Sequence, residues 1–250
     1  MKIKPNKKIY LFVAAVVALM VHLPFSFAHI KNYSLPKIIV PVIVPIATTV
    51  EEKMVFKIYD SLKLNNVGLS QNVFNYALKG FEYLKAKGKI VNDHIISIVD
   101  FTKPSSQKRL FVIDLNNYKI LFKTYVAHGQ GSGEVMASKF SNVPESLQSS
   151  LGFYSTANTY VGKNGFSLKL NGLEKGINDR ASERSIVIHG ADYVCESYIQ
   201  SQGFIGRSWG CPAIPEKLNK PIIEKIKNGS CLFIFSENNK YLHTSKILNS

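Results

Sequence analysis

The spacing of apolar residues changes once along this chain, near residue 90, and that change limits the folds open to it. Before it, Phe74, Ala77, Leu78, Phe81 and Leu84 recur at steps of three and four, which lines them along one face of a helix. Helices are therefore expected over Val50 to Leu64 and Ser70 to Lys87, with Gly88 as the stop. From Ile95 the pattern becomes short runs of Ile, Val, Phe and Tyr, at Ile95 to Phe101, Arg109 to Leu115 and Tyr118 to Ala127. The last two flank Asn116-Asn117, a hairpin signal. Shorter strands are expected at Gly152 to Thr156, Ser167 to Leu170, Ser185 to His189 and Cys231 to Phe235, and a helix at Pro215 to Lys227 that Pro221 threatens to break. The pattern describes an α+β chain, mainly β, in which a helical preface at 50–90 covers part of a sheet-rich domain at 91–240.

The N-terminus belongs to neither part. Lys2, Lys4, Lys7 and Lys8 precede an apolar stretch from Leu11 to Leu23, and Ser26-Phe27-Ala28 supplies small residues at a cleavage position. Residues 1–28 therefore read as a signal peptide, and the chain is expected to be exported to the periplasm or cell envelope. The apolar stretch is shorter than the roughly 20 residues that span a bilayer, which disfavours a permanent anchor. Residues 29–49 carry Pro36, Pro41 and Pro45 among β-branched residues and are expected to form an extended leader.

The formal charge is +14, and losing the signal peptide removes four lysines and no acid. Such a surface favours cell-wall polymers and peripheral contact with phospholipid head groups. Export makes nucleic acid the least fitting anion. Three cysteines in an exported chain leave an odd thiol: were Cys195 and Cys231 to pair, Cys211 would be free.

Cys211 stands in Arg207-Ser208-Trp209-Gly210-Cys211-Pro212, after the strand-like run Ile186-Val187-Ile188-His189-Gly190. Thiolate chemistry needs a sulfur nucleophile and a base, and a histidine ending a buried strand beside a glycine-containing turn supplies both. Backbone N–H groups around Ser208, Gly210 and Cys211 are candidates to hold an oxyanion. The segment 128–150 is glycine- and serine-rich without periodicity, and a long loop inside a compact domain is often functional.

The motifs IVIHGADYV and GRSWGCPAIP, taken with VAHGQGSG, KFSN, SSLGFYST and GFSLKLNGLEKGIND, resemble the murein L,D-transpeptidase catalytic domain family, the YkuD-like fold, and within it a subgroup with Pro-Ala after the cysteine. The similarity runs from about Ile95 to Pro215. The chain departs from the wider family in having Trp209 where a histidine usually stands, and Pro212-Ala213 where a basic or amide residue usually follows.

The resemblance implies a β-sandwich of mixed sheets with the N-terminal helices packed on it. It also implies Cys211 as nucleophile, His189 as base and a Gly190 backbone contact to the imidazole, acting on peptidoglycan tetrapeptide stems without metal or organic cofactor. Water reaching the acyl-enzyme would make the same scaffold an L,D-carboxypeptidase or endopeptidase. Two further readings come from the residues. One is a zinc peptidase using His128, His189 and a cysteine, although no compact ligand spacing is present. The other is a non-catalytic wall-binding module.

Around the pair, Arg207 is a candidate to hold a stem carboxylate, since a guanidinium binds carboxylates through two parallel hydrogen bonds. Its alternative is a surface salt bridge. Trp209 is expected as a packed wall of the cleft. Ser208 either bonds the histidine or caps the turn. His128 ends a strand candidate as His189 does, so it is expected to line the cleft, as a second base, or to anchor the loop. Ser141, Asn142 and Tyr160 offer polar groups suited to a peptide backbone, or to satisfying their own loops.

Overall fold

The computed structural model describes residues 50–250. The expected signal peptide and extended leader lie outside the described residues. Helix α1 spans Val50–Ser61 and α2 spans Gln71–Ala86. Ser70 caps α2 by accepting a hydrogen bond from the Val73 N–H, and Gly88 (φ +63°) takes the left-handed turn that ends it. The residues spaced at three and four in the sequence, from Phe74 to Leu84, are the buried face of α2. Tyr59 on α1 donates its hydroxyl to the Leu69 carbonyl, which ties α1 to the segment leading into α2.

The strands are β1 (Ile95–Asp100), β2 (Leu110–Asp114), β3 (Lys119–Thr124), β4 (Gly152–Gly162), β5 (Gly165–Gly172), β6 (Val187–Ala191), β7 (Ala213–Pro215) and β8 (Cys231–Phe235). They form one eight-stranded sheet in the order β3-β2-β1-β8-β4-β5-β6-β7. The architecture is α+β and mainly β, and the mixed sheets expected from the sequence are joined into this single ladder. Most neighbours run antiparallel, while β1 with β8 and β6 with β7 run parallel. Strands β1, β2 and β8 are buried along their whole length, so both of their faces are covered. This explains why they read as unbroken apolar runs. Stacked rings of Phe153 and Phe233, 4.2 Å apart between centroids, fill the junction of β4 with β8.

Asp114 fixes the β2–β3 turn by accepting from the N–H groups of Asn116 and Asn117. The helix near Pro215 is α4 (Glu216–Ile226), and it runs through Pro221. Its buried face of Asn219, Ile222, Ile223 and Ile226 holds it against the sheet, which offsets the hydrogen bond that proline removes. Two short helices, α3 (Glu196–Gln202) and α5 (Asn239–Thr244), were not expected. Among the described residues, no helix is long and apolar enough to cross a membrane.

Candidate active site

The site is built where β6 and β7 run side by side. His189 on β6 pairs in register with Ala213 on β7, and Cys211 stands two residues before Ala213. Pro212 disfavours a helical conformation at Cys211, so the chain enters β7 extended. The Cys211 sulfur lies beside the start of β6, 3.7 Å from the Ser185 carbonyl oxygen and near the Val187 N–H. Val187 precedes His189 by two residues, about 7 Å along a strand and on the same face.

The His189 ring is buried, and its Nδ1 lies 2.9 Å from the Gly190 carbonyl oxygen. A carbonyl only accepts, so Nδ1 carries the proton and Nε2 is left as the basic nitrogen. Burial holds the imidazole below its ordinary value of 6.5, with the Gly190 contact opposing. Burial likewise pushes the half-buried Cys211 thiol up, while the Val187 N–H and Arg184 draw it back. The resting pair is thus a neutral thiol and a neutral imidazole.

The turn before Cys211 depends on a close approach of two backbones. Gly210 has φ +123°, and a Cβ there would lie 2.8 Å from the Gln148 carbonyl oxygen. A Cβ on Gly129 would meet the Leu147 carbonyl oxygen at 2.2 Å and the Gly210 Cα at 2.8 Å. Two glycines face each other so that the loop 128–150 can lie against the cysteine turn. Hydrogen bonds fasten the contact: Ser208 N–H to His128 O at 3.0 Å, Gln130 N–H to Ser208 O at 2.8 Å, and Ser149 Oγ to Gly210 O at 3.1 Å.

Several expectations are corrected by these contacts. Ser208 donates its hydroxyl to the Cys211 carbonyl at 2.6 Å and accepts from the Gly210 N–H at 3.1 Å, so it caps the turn and does not bond the histidine. The Ser208 and Gly210 amides are consumed by the fold; among the described residues the Cys211 N–H has no partner and stays available. His128 does not line the cleft. It is 0% exposed, with Nδ1 accepting from Arg109 at 2.7 Å and Nε2 donating to the Gly133 carbonyl at 3.2 Å. With both nitrogens engaged it anchors the loop, and it is free neither to act as a base nor to bind zinc. Burial first and Arg109 second push it down to about 4.

Arg207 also contacts the Gly133 carbonyl, at 3.2 Å, and lies over the Phe204 ring. Trp209 is 72% exposed, an indole projecting from the turn instead of a packed wall. The Asn142 amide is spent on Asp179 and Arg180, and Ser141 on Val143, Arg184 and Ser150. Both border a different cavity, beside Lys240 and Tyr241. Tyr160 lies in a cavity of about 410 Å³ with Lys169, Ser182, Val187 and Ser185, whose carbonyl the Cys211 sulfur contacts.

Two arginines carry work that the sequence reading did not assign. Arg184 donates to the carbonyls of Ser141 (2.7 Å) and Gln148 (2.5 Å) and to the Ser150 hydroxyl (2.5 Å), clamping the loop beside Cys211. Arg109 is 0% exposed, donates to Val126 O, Lys103 O and His128, and stacks on Phe101 at 4.7 Å. A charged residue inside the apolar run Arg109 to Leu115 was the signal available for it. The three cysteines are all free thiols, so Cys195 and Cys231 do not pair.

A sequence model of the L,D-transpeptidase catalytic domain matches residues 65–235. The chain belongs to this family. Among solved structures, an L,D-transpeptidase from Mycobacterium smegmatis is 10% identical, with a TM-score of 0.35 over 57% of this chain and 59% of that one. An L,D-transpeptidase from Stackebrandtia nassauensis is 14% identical, with a TM-score of 0.36 over 66% of this chain and 67% of that one. The helical cell shape determining protein of Campylobacter jejuni is 13% identical, with a TM-score of 0.39 over 62% and 54%. The chain spans less than two thirds of the Mycobacterium smegmatis protein. No curated protein sequence matches it.

Proposed function

We propose that this member of the L,D-transpeptidase family is an exported cysteine transpeptidase of peptidoglycan, with Cys211 as nucleophile and His189 as general base. One observation carries the reading: Cys211 stands two residues before the register partner of a histidine whose Nδ1 is committed to a backbone carbonyl. That commitment leaves Nε2 as the proton acceptor. As the sulfur attacks the carbonyl of the third, L-configured centre of a tetrapeptide stem, Nε2 takes the thiol proton. The developing oxyanion is held by the free Cys211 N–H. Collapse breaks the C–N bond, the imidazolium returns its proton to the departing D-alanine amine, and an acyl-thioester remains.

In the second half, the amine of a neighbouring stem attacks the thioester. The C–S bond breaks, a C–N bond forms, and the amine proton passes through His189 to the leaving thiolate. The product is a 3–3 crosslink. Water in place of the amine yields a tripeptide stem. The lysine-led N-terminus supports export, and determination of the mature N-terminus tests it, with a start near His29 expected.

The decisive experiment is intact mass of the purified protein after exposure to a tetrapeptide donor. An adduct of the stem less D-alanine is expected on the wild type and none on Cys211→Ala. A wild type that never acquires this adduct overturns the reading. Separation of muropeptide products then distinguishes dimers, from transfer, from tripeptide, from hydrolysis.

A further inference from the structure

Trp209 stands two residues before the proposed nucleophile and is 72% exposed, the most exposed aromatic side chain among the described residues. Indoles are mostly withdrawn from water, so one left in it beside a reactive sulfur is informative. The backbone that carries it is not loose. On one side Ser208 forms a parallel bridge with Gly129 and turns its hydroxyl inward to the Cys211 carbonyl. On the other side the Gly210 carbonyl accepts from the Ser149 hydroxyl, and the Gly210 N–H donates to Ser208. With Ser208 facing in, the next side chain faces out, from a Cα pinned by both neighbours. Only two side-chain torsions remain to be ordered when a ligand packs on the ring, so little entropy is lost on contact.

The surroundings limit what that ligand is. Ser208 and Gly210 flank the indole, which makes it a single apolar plate in a polar turn. A protein partner covers about 800 Å² on each side, far more than one indole offers. A pyranose ring matches the plate in size: one of its faces presents C–H groups to an aromatic surface, and its rim presents hydroxyls to the indole N–H.

Length agrees with this choice. Two residues of backbone, about 7 Å, and an indole of about the same length put the ring within about 14 Å of the sulfur. A stem peptide runs back from its third carbonyl through three residues and one linking acid to the sugar that bears it, also about 14 Å when extended.

We propose that Trp209 packs against the sugar to which the donor stem is attached, so that the enzyme selects stems carried on glycan over free peptide. The assignment rests on the transpeptidase reading above and names the part of the donor that the cysteine turn recognises.

The sequence holds one tryptophan, so the indole fluorescence of the whole protein is that of Trp209. In Cys211→Ala protein, a disaccharide tetrapeptide is expected to shift the emission to the blue and to cut acrylamide quenching about threefold near saturation, while the free tetrapeptide changes neither. An equal shift with the free peptide, no shift with either, or a shift produced by raising protein concentration alone overturns the proposal.

In protein that retains Cys211, kcat/KM for acylation by the disaccharide tetrapeptide is expected to exceed that for the free tetrapeptide about tenfold. Trp209→Ala is expected to bring this ratio close to one by raising KM for the sugar-bearing donor, and Trp209→Tyr to keep most of it. A ratio near one in the wild type, or one that Trp209→Ala leaves unchanged, overturns the proposal. Burial of the indole by the disaccharide tetrapeptide without any acyl adduct on Cys211 would defeat the reaction proposed above and uphold the sugar contact. Adducts formed equally fast from both donors would do the reverse.

Discussion

At the scale of single residues, burial favours the neutral form of both the thiol and the imidazole. The folded environment lowers the His189 pKa below 6.5 and raises that of the Cys211 thiol, both chiefly through burial. A depressed histidine stays neutral further into acid. The acid limb of kcat/KM for acylation is therefore expected below pH 6.5, and a profile lost already above that value would contradict the neutral-pair reading. His189→Gln is expected to lower acylation by roughly 10²- to 10⁴-fold while leaving donor KM nearly unchanged, measured by single-turnover mass kinetics. Gly210→Ala tests the backbone in a different way. It demands a side chain at φ +123° and 2.8 Å from the Gln148 oxygen, so the turn must shift and acylation is expected to fall with the thiol still present. Cys211 and His189 were singled out in the sequence because their neighbours are distinctive, and the pairing of β6 with β7 brings their segments side by side. Arg184 was not, since its partners at 141–150 are some forty residues away in the chain and only the folded loop brings them to it.

Between elements, the loop 128–150 is held by a chain of polar contacts, with Ala137 and Phe140 packing it onto the core. Arg184 on one side and the Arg109–His128 pair on the other pin its carbonyls. Arg184→Met removes donors to two carbonyls and two hydroxyls and takes a positive charge from beside the sulfur. The expected result is a higher thiol pKa, read from the pH dependence of Cys211 alkylation, together with faster hydrogen exchange over 141–150.

The legible elements were those with a strong periodic face, such as α2, or full burial, such as β8. Strand β7 is three residues long and takes its identity from pairing with β6, while α3 buries no residue and so shows no stripe. The β4–β5 hairpin was read too short because its outer half is exposed on both faces and loses alternation. The Asn164-Gly165 dipeptide at its tip, with Gly165 at φ +71°, was the signal that marked it.

For the whole molecule, His128 links stability to pH. Its folded value of about 4 lies below the ordinary 6.5, so the unfolded chain binds the proton first as pH falls. Its contribution to stability is complete above 6.5 and is lost between 6.5 and 4, amounting to about 3 kcal/mol at most. Thermal melts across that range are expected to show Tm falling, with a shallower slope in His128→Asn than in the wild type. Equal slopes in the two proteins would contradict the assignment.

The strand order has a consequence for how the chain comes to be. Among the described residues, Cys231–Phe235 lies between β1 and β4 and is the sole ladder connecting the group β1–β3 to the group β4–β7. Until Cys231–Phe235 has been made, these two groups have no edge to share. A sheet whose halves wait for a strand made after all the others remains threadable until that strand arrives, which suits a protein proposed to cross a membrane before it folds.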